Sequence, residues 1–199
     1  RHDHLLLACR SGERGGGGSR VGLLGRGGRR GALPPPPPLQ QRSLLLARKE
    51  GWRGEELALA LYGEANGPAL RMEVLRLRQR GLAVKSRPYR LAQALQADFL
   101  EVWGALRQGD LSGALARYRC PLLPQSQAPG VEALRAELEE ALRRAVLAQG
   151  EVESLFLLAE RLGEDLGVWE ALLERLPSQD PRLPIAQARV ERLRREWGL

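Results

Sequence analysis

Apolar positions divide this chain into two regimes. Residues 1–39 show no apolar period of either 3.6 or 2.0 residues, whereas from Gln40 onward apolar side chains recur at three- and four-residue intervals between glycine, proline and polar breaks. Residues 40–49, QQRSLLLARK, are apolar at Leu44-Leu45-Leu46-Ala47 and polar at both ends, which predicts a short helix packed on one side and stopped by Gly51 in a left-handed C′ position. Trp52 is expected in the core, and Trp52-Arg53 forms a brief extended link. Glu55-Glu56 open a second helix whose apolar face is Leu57, Ala58, Leu61 and Tyr62, closed by Gly63. Asn66-Gly67-Pro68 predicts a turn with proline at a first helical position, and the third helix runs on to Arg80 and Gly81. LAVKSRPYRL then reads as a β-hairpin, two short extended pieces about Lys85-Ser86-Arg87-Pro88.

After Leu91 the period is helical almost throughout. Phe99, Val102, Trp103 and Leu106 mark one helix, broken at Gly109-Asp110 before a second with Leu111, Ala114, Leu115 and Tyr118. Residues 120–130, CPLLPQSQAPG, form a proline-bounded loop. A long helix from about Val131 to Gln149 carries Leu134, Leu138, Leu142 and Val146 along one stripe, with arginine and glutamate opposite. Gly150, Gly163 and Pro177 divide the rest into helices near 152–162, 166–176 and 182–196. The fold class expected is mainly α: three helices and a hairpin over 40–91, then an all-α, TPR-like array of helical pairs over 92–199.

Composition changes the reading of the first 39 residues. Ten glycines and the Pro34–Pro38 run oppose both helix and central strand, so this segment is expected to be a disordered tail whose prolines act as a polyproline II spacer. The chain begins with Arg1 rather than Met, as a fragment or a tail lacking its upstream portion would. Leu6-Leu7-Ala8-Cys9 resembles a lipoprotein cleavage box, but four apolar residues are too few for a signal-peptide core. His2-Asp3-His4 with Cys9 lacks the rigid surroundings of a metal site. Arg26, Arg29 and Arg30 either add non-specific nucleic-acid affinity or belong to an inert tail. No apolar run reaches membrane-spanning length, so a soluble, cytoplasmic protein is expected. The two cysteines are 111 positions apart, which excludes a disulfide framework or zinc cluster. Cys120 is expected as a small buried hydrophobe, with a reactive thiol as the alternative.

Charge resolves the organisation further. Residues 1–39 hold seven arginines and two acids, residues 40–91 eleven basic and five acidic side chains, and residues 92–199 thirteen basic and seventeen acidic. The net +7 of the whole chain therefore belongs to its front half. In the third helix Leu70, Val74 and Leu77 share one sector, while Met72, Arg76 and Gln79 point to the opposite side, flanked by Arg71, Arg78 and Arg80. Helix, helix, cationic helix and basic hairpin in this order is the plan of a winged helix-turn-helix. Arg76 and Gln79 are the base-edge candidates. Arg71 and Arg78 are placed to touch phosphate or to pair with Glu73 and neighbouring acids, and Lys85, Arg87 and Arg90 to rest on the DNA backbone. Tyr89 is either a phosphate donor or a packing residue.

The second half offers no catalytic constellation: it has no histidine, one cysteine and no acid pair tied to an evident pocket. No catalytic residue, metal or cofactor is expected. The partners expected are double-stranded DNA and, through the helical module, RNA polymerase or a second copy of the chain, with no membrane. The alternative is a protein-protein adaptor that uses the helical repeats and keeps the winged helix as structure only.

Two stretches carry a family resemblance. RMEVLRLRQRGLAVKSRPYRL resembles the recognition helix and wing of bacterial winged-helix regulators, and residues 97–151 resemble the helical region of bacterial transcriptional activator domain proteins. Over roughly 40–199 the chain is similar to the C-terminal half of GAF-domain-containing bacterial transcriptional regulators, most specifically at Arg87-Pro88-Tyr89-Arg90-Leu91 and Pro121-Leu122-Leu123-Pro124. The resemblance implies DNA contacts from Arg71, Arg76, Arg78, Arg87, Tyr89 and Arg90. Relatives place a ligand-sensing GAF domain upstream, where this chain has 39 low-complexity residues.

Overall fold

The computed structural model describes residues 4–5, 37–65, 68–93 and 95–199. Most of the expected tail, including His2-Asp3, Leu6-Leu7-Ala8-Cys9, Arg26, Arg29, Arg30 and Pro34 to Pro36, lies outside them, as do Asn66 and Gly67. Two residues of that segment have a backbone partner: His4–Leu5 (β1) pairs in parallel with Gln96–Ala97 (β4).

Helix α1 (Pro37–Ala47) starts inside the proline run, earlier than Gln40. Pro37 and Pro38 are helical rather than polyproline II, because the first turn of a helix needs no N–H and suits proline's fixed φ. Leu44, Leu45 and Leu46 are buried. Gly51 follows at φ +93°, and a Cβ there would lie 2.9 Å from Pro88 Cγ and 3.0 Å from the Tyr89 carbonyl, so this turn requires glycine on two counts. The link beyond it is a strand-like rung: Trp52 N–H donates to the Tyr89 carbonyl at 2.9 Å, and Tyr89 N–H returns the bond at 2.9 Å. Trp52 is half-buried against the core, with its indole Nε1 donating to the Leu44 carbonyl at 2.8 Å and the Arg48 guanidinium 5.1 Å above its ring.

Helix α2 (Gly54–Tyr62) is opened by Glu56, whose carboxylate accepts from Arg53 N–H at 3.2 Å and from Arg48 Nη1 at 3.1 Å. It buries Leu57, Ala58 and Leu61. Helix α3 (Pro68–Gln79) buries Leu70, Val74 and Leu77, the sector read from its period. Strands β2 (Val84–Ser86) and β3 (Tyr89–Leu91) form an antiparallel hairpin in the register Val84 to Leu91, Lys85 to Arg90 and Ser86 to Tyr89. The Arg87–Pro88 peptide between them is cis.

The remaining elements are α4 (Asp98–Arg107), α5 (Leu111–Arg117), α6 (Pro129–Gln149), α7 (Val152–Leu162), α8 (Leu166–Arg175) and α9 (Leu183–Trp197). Asp110 and Asp165 cap α5 and α8 by accepting N–H bonds from Gly113 at 2.8 Å and Val168 at 3.0 Å. Trp169 is fully buried, donates Nε1–H to the Gly163 carbonyl at 3.1 Å and meets Phe156 edge-on. Cys120, which begins the loop after α5, is half-buried and disulfide-bonded, so its sulfur is neither an enclosed apolar group nor a free thiol. Among the described residues no helix is long and apolar enough to cross a membrane.

Helix α6 is the spine of the molecule and packs against α1, α2, α4, α5, α7 and α8. Val131, Leu138, Leu142 and Val146 are its buried stripe. The closest approach is at Gly130, where a Cβ would lie 2.7 Å from Ala60 Cβ, 2.9 Å from Leu44 Cδ2 and 3.0 Å from the Ala60 carbonyl. The preceding loop is pinned on both sides: Gln40 Nε2 donates to Ser126 Oγ at 2.8 Å, and Arg135 donates to the Pro124 and Ser126 carbonyls at 3.0 and 2.9 Å. Residues 40–91 and 92–199, separable by composition, thus share one continuous core.

Two alanine substitutions at helical glycines should move stability in opposite directions. Gly130→Ala should destabilise by about 1–3 kcal/mol through overpacking against α1 and α2. Gly104→Ala, in α4 with nothing within 4 Å of the new Cβ, should stabilise by about 0.5–1 kcal/mol. Urea unfolding of the two variants beside the parent chain checks both signs.

Candidate nucleic-acid interface

The side chains of α3 sort into a buried stripe and a solvent face. Ala69, Arg71, Met72, Leu75, Arg76, Arg78, Gln79 and Arg80 are exposed. Positions 72, 75, 76 and 79 stand at i, i+3, i+4 and i+7, so they form one continuous strip directly opposite Leu70, Val74 and Leu77. Arg76 and Gln79 sit on it as expected, and Met72 lies between their rows. Leu75 belongs to the same strip, although the apolar sector of the helical period assigns it no role.

One acid lies on α3, and it is already engaged. The Tyr62 hydroxyl at the end of α2 donates to Glu73 Oε2. Burial first, then the Glu73 carboxylate, raises the phenol far above its ordinary pKa, so Tyr62 remains a donor across the physiological range. The nearby Arg76 charge pulls the phenol weakly the other way. Arg71 and Arg78 do not pair with Glu73, from which they stand two and five positions away, off the i,i+3 and i,i+4 spacings at which helix side chains meet.

Arg78 has a structural task that its position in the helix does not reveal. Its Nε and Nη2 donate to the Val84 carbonyl at 3.0 and 2.8 Å, and Nη2 also reaches Ser86 Oγ. This fork ties the last turn of α3 to β2 and sets the hairpin on the Arg71-Arg78 flank of the helix.

On the hairpin, Val84 is buried and Tyr89 and Leu91 are half-buried, so this face turns toward the core. Lys85 and Arg90 lie on the other face, exposed and directly opposite one another. Like charges across a rung are unfavourable by about 0.2–1 kcal/mol unless an anion lies between them. Arg87 is exposed at the turn. Tyr89 bridges to Trp52 through its backbone, and its ring edge lies 3.4 Å from where a Gly54 Cβ would stand, which makes it a packing residue in this arrangement.

The rest of the chain pairs more of its arginines. Among the described residues Arg71, Arg76, Arg80, Lys85, Arg87 and Arg90 make no ion pair. In α4–α9, by contrast, Arg117 pairs with Glu101, Arg143 with Asp165, Arg144 with Glu140, Arg182 with Asp180 and Glu153, Arg192 with Glu196, and Arg194 with Glu170. Others serve backbone carbonyls, as Arg175 does at Gly150 and Leu147. Lys49, Arg53, Arg107, Arg119, Arg189 and Arg195 are likewise exposed without an ion pair among the described residues, so what sets α3, Arg80 and the hairpin apart is that six such cations fall close together between positions 71 and 90. Among the described residues no group of three or more His, Cys, Asp or Glu is placed to hold a metal ion.

Residues 160–199, the end of α7 with α8 and α9, match the family described as YTH3-like protein, third C-terminal helical domain. The chain is 35% identical over 161 residues to an uncharacterized 47.3 kDa protein encoded in the thcA 5′ region of Rhodococcus erythropolis. That alignment covers 78% of this chain, which spans only 37% of the relative's length. No solved structure matches the chain significantly.

Removing the Arg78 fork should be felt in stability, and removing its exposed neighbour should not. Arg78→Ala is expected to cost about 1 kcal/mol in urea unfolding and to speed amide exchange in the hairpin. Arg76→Ala should stay within about 0.5 kcal/mol of the parent.

Proposed function

We propose that this chain is a sequence-specific DNA-binding transcriptional regulator whose first half is a winged helix-turn-helix. Helix α3 enters the major groove, and the hairpin lies as a wing along the adjacent backbone. The observation that carries this reading is the set of six exposed cations on α3, its C-terminal edge and the hairpin, none with an acidic partner among the described residues. A solvated helix face of a mixed-charge protein ordinarily carries both signs, as α6 and α9 do here. The order α1, strand-like Trp52 rung, α2, α3 and hairpin supports the same reading, since the rung ties the hairpin to the base of the helical trio. Arg76 and Gln79 are then the base readers, Arg71, Arg80, Lys85, Arg87 and Arg90 the phosphate contacts, and Arg78 the tether between them.

In this reading α4–α9 form the regulatory or self-associating part, mounted on the DNA-binding trio through α6. The adaptor alternative calls for an apolar groove among those helices. The groove between α6, α8 and the ends of α7 and α9, about 540 Å³, is mixed, with Ala136, Leu162, Leu166 and Trp197 beside Glu139, Glu140, Arg143, Glu164 and Asp165. We assign no catalytic step to the chain.

Fluorescence anisotropy with labelled duplexes tests the proposal. Binding should weaken with salt on a log–log slope of about −4.5 to −5.5 for five or six phosphate contacts. Lys85→Ala and Arg90→Ala should each reduce that slope by about 1. On a site selected from random duplexes, Arg76→Ala should cost about 1–3 kcal/mol, with little effect on random DNA. Equal losses on both substrates would move Arg76 to a backbone contact, and salt-insensitive binding would overturn the proposal.

A further inference from the structure

The strip of α3 formed by positions 72, 75, 76 and 79 is half apolar. Met72 and Leu75 are 54% and 44% exposed, although both are large hydrophobic side chains and the same helix buries three others. A scattered exposed leucine needs no explanation. These two occupy adjacent positions of one strip, between Arg76 and Gln79 on it and Arg71, Arg78 and Arg80 around it. The setting limits what can cover them. A protein partner would have to bury an apolar spot inside a ring of cations, whereas the cores of protein interfaces are depleted in charge. A DNA major groove meets both demands: phosphates line its sides, and the apolar group on its floor is the C5 methyl of thymine.

We propose that Met72 and Leu75 form a thymine-methyl reader that sets part of the sequence specificity of α3. This rests on the DNA-binding reading above and deepens it. From 72 to 79 the helix rises about 10 Å, the length of about three base-pair steps, so the strip addresses a subsite of that size. Arg76 supplies the hydrogen bonds for guanine and Gln79 those for adenine, while Met72 and Leu75 distinguish thymine from cytosine by apolar contact.

The test uses the complete 199-residue chain and a duplex selected from a random library. Each thymine of the selected site is replaced in turn by deoxyuridine, which differs only by the absent methyl. Replacement should weaken binding about fourfold per contacted methyl at one or two positions. Leu75→Ala and Met72→Ala, both at exposed positions, should each abolish that sensitivity at one position while leaving salt-dependent binding to random DNA in place. A parent chain indifferent to deoxyuridine, or a selection without any thymine preference, overturns the methyl reader even if salt-dependent binding persists. A Leu75→Ala variant that instead loses self-association in sedimentation would reassign the strip to contact between copies and overturn it as well. Absence of salt-dependent binding in the parent would sink the DNA reading itself, and this proposal with it.

Discussion

The close approach of α6 to α1 and α2 at Gly130 is the constraint on which the architecture depends. A helix that must bury a stripe against six neighbours can have side chains of ordinary size along most of its length, but its first turn lies against Ala60 and Leu44 with no room for a methyl group. That contact joins two regions of opposite net charge into one core. Ser126, Gln40 and Arg135 then satisfy the polar groups of the loop that would otherwise be stranded at the seam. Helix α3 packs against α1 and β2 through its buried stripe of Leu70, Val74 and Leu77 and leaves its opposite side open.

Charge follows the same division. Along α6 to α9, most arginines are engaged by carboxylates one turn away or on another helix, or by backbone carbonyls, while Arg189 and Arg195 make no ion pair. On α3 the only carboxylate is claimed by Tyr62, and the arginine best placed to reach the hairpin is committed to Val84. The remaining cations face solvent because local partners have been removed from them, not merely because the segment is rich in arginine. A surface of this kind attracts polyanions at long range, with a strength that falls as salt rises.

Much of this was legible from period and punctuation. Glycines at 63 and 150 and the proline at 68 mark helix ends that the structure places within a residue or two, because these residues act through local backbone geometry, whereas Pro129, read as part of the preceding loop, opens α6. The buried sector of α3 was legible for the same reason. What escaped is non-local. The start of α1 depends on prolines that either a helix or an extended spacer accepts. The Trp52-Tyr89 rung, the Arg78 fork and the Gly130 contact each join segments far apart in the chain, and a helical wheel gives a direction without naming what lies there. Leu75 was missed because a hydrophobic residue on a polar face breaks the pattern instead of forming one. Cys120 was misread because composition cannot reveal which sulfur meets another.

The Lys85-Arg90 rung has a further consequence for how the hairpin behaves as a thermodynamic unit. Two like charges held across one rung work against the hydrogen bonds that pair those strands, so the hairpin is at its least favourable when its outer face is empty. An anion seated between them reverses the sign of that interaction, and it does so without moving either strand. An anion bound between the two charges would therefore tighten the hairpin, and through Arg78 the last turn of α3, so the electrostatics of this rung would couple binding to local order.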